Sequence, residues 1–210
     1  MIERNKAKVQ ALFPDAYVLY EDIDVDHDKI LDDVKKLNFK ELKDQPTYMT
    51  KSIKIFKDLK SLKKLKNLLE KITTDCVRNI IGYDVDVSLI NMWATKTAPK
   101  CGSGMHNHRN FWYTCVYYPH GSIEDNFSIE VSTYKYQNCM SVPVSNYTQF
   151  NSSAWTHVVK RGNLLIFPAN ILHQILMNNS KNFRYSIAAT FLPKGEIGEH
   201  DGKIQFNIKE

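Results

Sequence analysis

The sequence predicts a mainly β fold, a β-sandwich or jelly roll buttressed by helices on its N-terminal side. After Gly82 the chain breaks into many short, strand-like runs divided by turn residues. Before Gly82 lies one long stretch with helical apolar spacing. No internal repeat or linker composition interrupts the 210 residues, so one domain is expected over 1–210. Within it, 1–83 is the strand and helix flank, 84–192 the jelly-roll core and 193–210 a C-terminal tail.

The elements follow in order. "AYVLYEDI" (16–23) predicts a first strand after a turn at Pro14. In "DKILDDVKKL", Ile30, Leu31, Val34 and Leu37 share a helical face, with Asp26 or Asp28 as the cap. Residues 40–50 are polar and loop-like, and "KSIKIF" alternates as a short strand. From Asp58, apolar residues recur at Leu59, Leu62, Leu65, Leu68, Leu69, Ile72, Cys76 and Ile80, with Gly82 as the helix stop. "DVDVSLINMWA", "SIEVSTYKY", "THVVK", "NLLIFP", "HQIL" and "RYSIAATFLP" are the later strands, and 137–152 is a long loop.

Composition narrows the function classes. The net charge of +5 is modest, and the lysines between Lys51 and Lys71 fall on the polar face of the predicted helix. No basic patch interleaved with aromatics accompanies them, so nothing argues for nucleic acid. Four scattered cysteines without a CxxC pair fit reduced thiols in an intracellular, cytoplasmic protein. The N-terminus lacks an apolar leader pattern and no stretch reaches membrane-spanning length. The Asn-x-Ser/Thr matches at Asn126, Asn146, Asn151 and Asn178 then have no glycosylation to report.

The chemistry-bearing residues begin at "MHNHRNFWYTCVYY" (105–118). In an extended segment, residues i and i+2 share a face, so His106 and His108 aim two imidazoles at one point. Such a pair suits a metal ion, although His-x-His also occurs in solvated turns. Further on, "RGNLLIFPANILHQILMNNSKNFRYSIAATF" (161–191) holds a single histidine, His173, at a strand start. An arginine, Arg184, stands at the start of the next strand.

Together, "NMWA", "HNHRNFWYTCVYY", "GNLLIFPANILH" and "RYSIAATF" resemble the iron- and 2-oxoglutarate-dependent oxygenases. The nearest likeness is a family of bacterial and marine-phage type with an HxH…GxLxxFPxxxxH…RxSI pattern. It covers about residues 84–192. The resemblance implies a double-stranded β-helix with Fe(II) bound at its open end and 2-oxoglutarate and O2 as cosubstrates. His106, His108 and His173 would be the metal ligands. Most of the wider superfamily carries Asp or Glu where His108 stands, so His108 either completes an all-histidine face or stays outside the coordination sphere. The nearest acids, Glu124 and Asp125, are badly placed to substitute. By the same resemblance, Arg184 and Tyr118 would bind the far carboxylate of 2-oxoglutarate. The planar guanidinium fork suits a carboxylate better than Lys does. Asn91 and Trp93, on one strand face, could line the site. No side chain beyond the metal centre is expected to act catalytically.

The implied activity is hydroxylation of a C–H bond coupled to oxidative decarboxylation of 2-oxoglutarate, on a protein or peptide side chain or a small molecule. Two other readings use the same histidines. A cupin-like jelly roll would bind metal without catalysis, and a three-histidine iron dioxygenase would dispense with 2-oxoglutarate. Both leave Arg184 without a task.

Overall fold

The computed structural model describes residues 15–42, 45–133, 142–206 and 208. Its core is two antiparallel sheets facing each other, with helices on the outside of the larger. In chain order the elements are β1 (Val18–Tyr20), α1 (His27–Lys35), β2 (Phe39–Leu42), β3 (Gln45–Thr50), α2 (Lys60–Asp75), β4 (Asp86–Thr97), β5 (Tyr113–Tyr117), β6 (Ser128–Ser132), β7 (Ala154–Val158), β8 (Leu164–Pro168), β9 (Leu172–Ile175), β10 (Arg184–Ile197) and β11 (Ile204–Phe206). The large sheet runs β1-β8-β5-β10-β4-β3-β2, with β11 on β10, and the small sheet runs β7-β6-β9.

The two faces of the large sheet explain the unbroken apolar run at β5. Cys115 and Tyr117 point outward with Met92, Ala94, Ile166, Ile187 and Ala189, and pack on Ile30 and Val34 of α1 and Leu62, Leu65 and Leu69 of α2. Val116 points inward with Leu165, Phe167 and Ala188, facing Phe127 and Ile129 at the small sheet. Buried on both sides, β5 loses the alternation of a half-exposed strand.

The helical flank forms as its pattern predicts. Asp26 caps α1, its carboxylate accepting from Lys29 N–H at 2.9 Å. Asp33 ties α1 to α2 through the Ser61 hydroxyl at 2.6 Å. After α2 the helix widens into a π-helical turn, Cys76–Ile81, which stops at Gly82 with φ +97°. The Gly82 and Tyr83 N–H groups both donate to Val77 O at 3.0 Å, closing the end.

Three expectations need correction. Residues 40–50 are not a loop: β2 and β3 pair as a hairpin and β3 joins β4. Threonines hide this strand, because Thr47 and Thr50 are buried with hydrogen-bonded hydroxyls where apolar residues would have signalled it. "KSIKIF" is not a strand but a single bridge at Lys54 followed by a 3-10 turn over Ile55–Lys57. Ile55 is fully buried while Ile53 is 45% exposed, so the apparent alternation does not map onto one face. Finally, β10 runs on to Ile197 and pairs there with β11, giving the tail a hairpin of its own. Pro14 and residues 137–141 of the predicted 137–152 loop, Cys139 among them, lie outside the described residues, while 142–152 carry no helix or strand; Cys76, Cys101 and Cys115 are free thiols. Among the described residues no helix is long and apolar enough to cross a membrane.

The turn before β8 packs closely against the exit of β1, with Ile23 N–H donating to Gly162 O at 3.3 Å. Gly162 has φ +87°, and a Cβ there would meet the Asp22 carboxylate. Gly162→Ala should therefore destabilise the fold by about 1–3 kcal/mol, measured as a lower denaturant midpoint. An unchanged midpoint would contradict the tight approach of this turn to the first strand's exit.

Candidate metal and cosubstrate site

His106 forms an isolated antiparallel bridge with His173 of β9. The pair exchanges both backbone hydrogen bonds, His106 N–H to His173 O at 2.9 Å and His173 N–H to His106 O at 2.8 Å. Residues directly opposite across such a ladder project to the same face, so the pairing alone sets two imidazoles side by side. His108 joins them from two residues on, its N–H fixed to Ala169 O at 2.8 Å. Ring centroids lie 4.4 Å apart for His106 and His173, 4.9 Å for His108 and His173, and 5.4 Å for His106 and His108. One ring nitrogen from each falls within 4.8 Å of the others.

The protons are already placed for a metal. A carbonyl can only accept, so His106 Nδ1 donates to Gly104 O at 2.9 Å and His173 Nδ1 donates to Ile171 O at 3.1 Å. Each ring then keeps its Nε2 lone pair as the ligand atom. The His108 ring is wedged edge-on against Trp93, centroids 5.2 Å apart. Burial, reinforced by neighbouring His106, pushes His108 down to about 4 and His173 down to about 3. Both are therefore neutral and able to ligate at neutral pH. No carboxylate belongs to the group, and Asp125 instead accepts from Ser122. The donor set fits a divalent first-row metal: imidazole suits iron, and three ligands leave room for other donors.

These buried imidazoles predict acid sensitivity. His120, also pushed down to about 4 by burial, acts in the same sense. The unfolded imidazole titrates near 6.5, so below that value the unfolded chain binds more protons than the fold. The stabilising difference is complete above about pH 6.5 and is lost as pH falls through about 4. The metal-free protein should lose denaturant resistance steadily across this window; a flat profile would contradict the burial of these rings.

A cavity of about 340 Å³ opens beside the three histidines. Trp93, Thr95, Val116, Tyr118, Ser186 and Ala188 of the large sheet form one wall, and Ile129 and Ile175 of the small sheet the other. Arg184 lies behind Tyr118 and is 1% exposed. Its Nη1 donates to Ser128 O at 2.8 Å and its Nη2 to the Tyr118 hydroxyl at 3.2 Å, while Nε has no partner. The Tyr118 and Phe127 rings face the guanidinium, 5.2 and 5.9 Å from its Cζ. Among the described residues no carboxylate pairs with it. A cation taken out of water without a counter-ion is costly, and burial pulls the guanidinium below its ordinary pKa. The donor left unpaired and the tyrosine on the cavity wall fit the tail of a dicarboxylate.

The chain's similarities agree with this geometry. A family model described as "Putative 2OG-Fe(II) oxygenase" matches residues 91–190, the segment that carries all three histidines, Tyr118 and Arg184. Over this segment, 100 of the 210 residues, the chain is similar to the 2OG-Fe(II) oxygenases. The fold is shared with several solved structures. HygX from Streptomyces hygroscopicus, solved with nickel and 2-oxoglutarate bound, is 10% identical with a TM-score of 0.63, covering 85% of this chain and 83% of its own. The 2-oxoglutarate-dependent epimerase SnoN from nogalamycin biosynthesis is 10% identical with a TM-score of 0.65, over 85% and 76%. A Pseudomonas putida prolyl-4-hydroxylase is 9% identical with a TM-score of 0.59, over 85% and 93%. No curated protein matches the sequence.

The fold brings His106, His108, His173 and Tyr118 to one cavity, with Arg184 directly behind Tyr118. Tyr117 faces the other way and holds His27 Nδ1 through its hydroxyl at 2.5 Å. Trp93 lies on the cavity wall. Asn91, two residues earlier, instead opens with His108, Arg109 and Thr190 onto a neighbouring hollow of about 440 Å³. A separate hollow of about 430 Å³ between Tyr17, Phe150, Trp155 and Phe167 does not include the histidines, although the Phe167 ring rests against His173. Thr95 and Ser186 are cavity residues that the sequence reading passes over. Their hydroxyls are hydrogen-bonded at 2.7 Å. The available signal was strand periodicity, each lying two residues past a residue already singled out, Trp93 and Arg184.

Proposed function

We propose that this oxygenase hydroxylates a C–H bond of a protein or peptide side chain or of a small molecule, with O2 as oxidant, in the cytoplasm. His106, His108 and His173 hold Fe(II) on one side, and Arg184 with Tyr118 receives the distal carboxylate of 2-oxoglutarate. When bound, Fe(II) and 2-oxoglutarate supply the oxidation: substrate, O2 and 2-oxoglutarate give hydroxylated substrate, succinate and CO2. The observation that carries the reading is the pairing of three convergent imidazoles with a buried guanidinium that no carboxylate pairs with among the described residues.

The protein's part is positioning. Backbone hydrogen bonds orient His106 and His173, Trp93 fixes the His108 ring, and the apolar wall of Val116, Ile129 and Ala188 keeps water from the cosubstrate. The hollow at Asn91, Arg109 and Thr190 abuts His108 and is the approach we assign to the substrate. The buried Thr190 hydroxyl there has no hydrogen-bond partner among the described residues. A cupin-like binder or an iron dioxygenase independent of 2-oxoglutarate would gain nothing from the buried Arg184.

The test is succinate release under air with Fe(II) and 2-oxoglutarate, screened against pools of peptides and of small metabolites. A pool that stimulates release and yields a product heavier by one oxygen supports hydroxylation and names the substrate class. Stimulated release with a product of unchanged mass would replace hydroxylation by an epimerising outcome.

A further inference from the structure

One half-buried histidine outside the metal cluster, His120, lies where the arginine strand needs support. In the large sheet, β5 pairs with β10 up to Tyr117 opposite Ile187. Continuing that register sets position 119 opposite Tyr185, but residue 119 is proline and the chain turns away there. The Tyr185 N–H thus loses its ladder acceptor one residue after Arg184. It donates to the His120 Nε2 at 2.8 Å instead. An acceptor nitrogen carries no proton, so this ring is neutral with its proton on Nδ1, in keeping with its burial.

The same imidazole reaches the other strand that fixes the arginine. His120 packs edge-on against Phe127, centroids 5.4 Å apart, and lies tilted against the Tyr185 ring at 5.7 Å. Phe127 is 1% exposed, lies under the Arg184 guanidinium, and immediately precedes Ser128, whose carbonyl accepts from Arg184 Nη1. His120 thus braces β10 by a hydrogen bond and the start of β6 by ring packing, on both sides of the Arg184 side chain.

We propose that His120 is a positioning residue for the cosubstrate: it holds Arg184 at the cavity where β5 peels away from β10. This rests on the reading of Arg184 as the carboxylate anchor. A positioning role makes a specific demand. Only a 2-oxo acid with a distal carboxylate should notice the loss of His120, because one without it has nothing to place against Arg184.

The test is anaerobic titration of the Fe(II)-loaded protein with 2-oxoglutarate and, separately, with 2-oxobutyrate. Binding is followed by calorimetry in wild type, His120→Phe, His120→Gln and Arg184→Met. His120→Phe keeps a flat ring but offers no acceptor, leaving a buried N–H unsatisfied. It should weaken 2-oxoglutarate about tenfold and leave 2-oxobutyrate unchanged. His120→Gln, whose side-chain oxygen can accept, should recover most of the loss. Equal weakening of both acids by His120→Phe, or no weakening of either, would overturn the proposal. If Arg184→Met binds 2-oxoglutarate as wild type does, the anchor reading itself fails. If Arg184→Met is weak and His120→Phe is normal, only the role of His120 fails.

Discussion

Arg184→Met should leave a protein that folds and binds Fe(II) but holds 2-oxoglutarate at least about 100-fold more weakly. Arg184 is buried with two neutral acceptors, Ser128 O and the Tyr118 hydroxyl, and an unpaired Nε. Supplying a carboxylate in that setting forms a charge-assisted, forked pair in a low-dielectric pocket. Removing one partner of a desolvated pair costs about 3–5 kcal/mol, more than any single neutral hydrogen bond could explain. The same logic gives an opposite effect on the unliganded protein. Met removes an uncompensated buried charge, so unfolding midpoints without 2-oxoglutarate should not fall below wild type. Adding 2-oxoglutarate should raise the wild-type midpoint and leave the variant's nearly unmoved. A variant that still shows the full ligand-induced shift would contradict the assignment.

His173→Ala should abolish Fe(II)-dependent succinate release, by more than the about 10–100-fold that loss of a supporting outer partner costs. His173 is the buried member of the three and stands opposite His106 in the ladder, so its removal leaves the other two imidazoles without their partner on β9. His108 gives the finer comparison. His108→Ala should lose most iron affinity, whereas His108→Asp should retain it, because a carboxylate there makes the two-histidine, one-carboxylate face common for iron oxygenases. Iron content after gel filtration and succinate release measure both. If His108→Ala retained iron as well as wild type does, His108 would be outside the coordination sphere and the all-histidine face would fall.

Much of this was legible in the chain because the site is written in strand grammar. His173 and Arg184 stand at strand starts, and His106 stands at an isolated bridge in the irregular segment before β5, with His108 two residues on. The parts that escaped depend on pairing between distant strands. That His106 meets His173 through a bridge of exchanged backbone bonds cannot be read from either segment alone. The role of His120 needed the register of β5 on β10, which places the gap after Pro119 beside Tyr185. The β2–β3 hairpin was hidden because two of its buried side chains, Thr47 and Thr50, are threonines whose hydroxyls find backbone acceptors, and they look polar in sequence. Local pattern identified the chemistry, while register assembled it.

The central claim is that one cavity joins a three-histidine iron centre to a 2-oxo acid anchored by Arg184. Its most direct test is the visible absorption of the protein under anaerobic conditions with Fe(II) and 2-oxoglutarate together. A metal-to-ligand charge-transfer band that needs both additions, disappears in His173→Ala and requires far more 2-oxoglutarate in Arg184→Met is the predicted result. Iron bound by the histidines with no such band at saturating 2-oxoglutarate would contradict it.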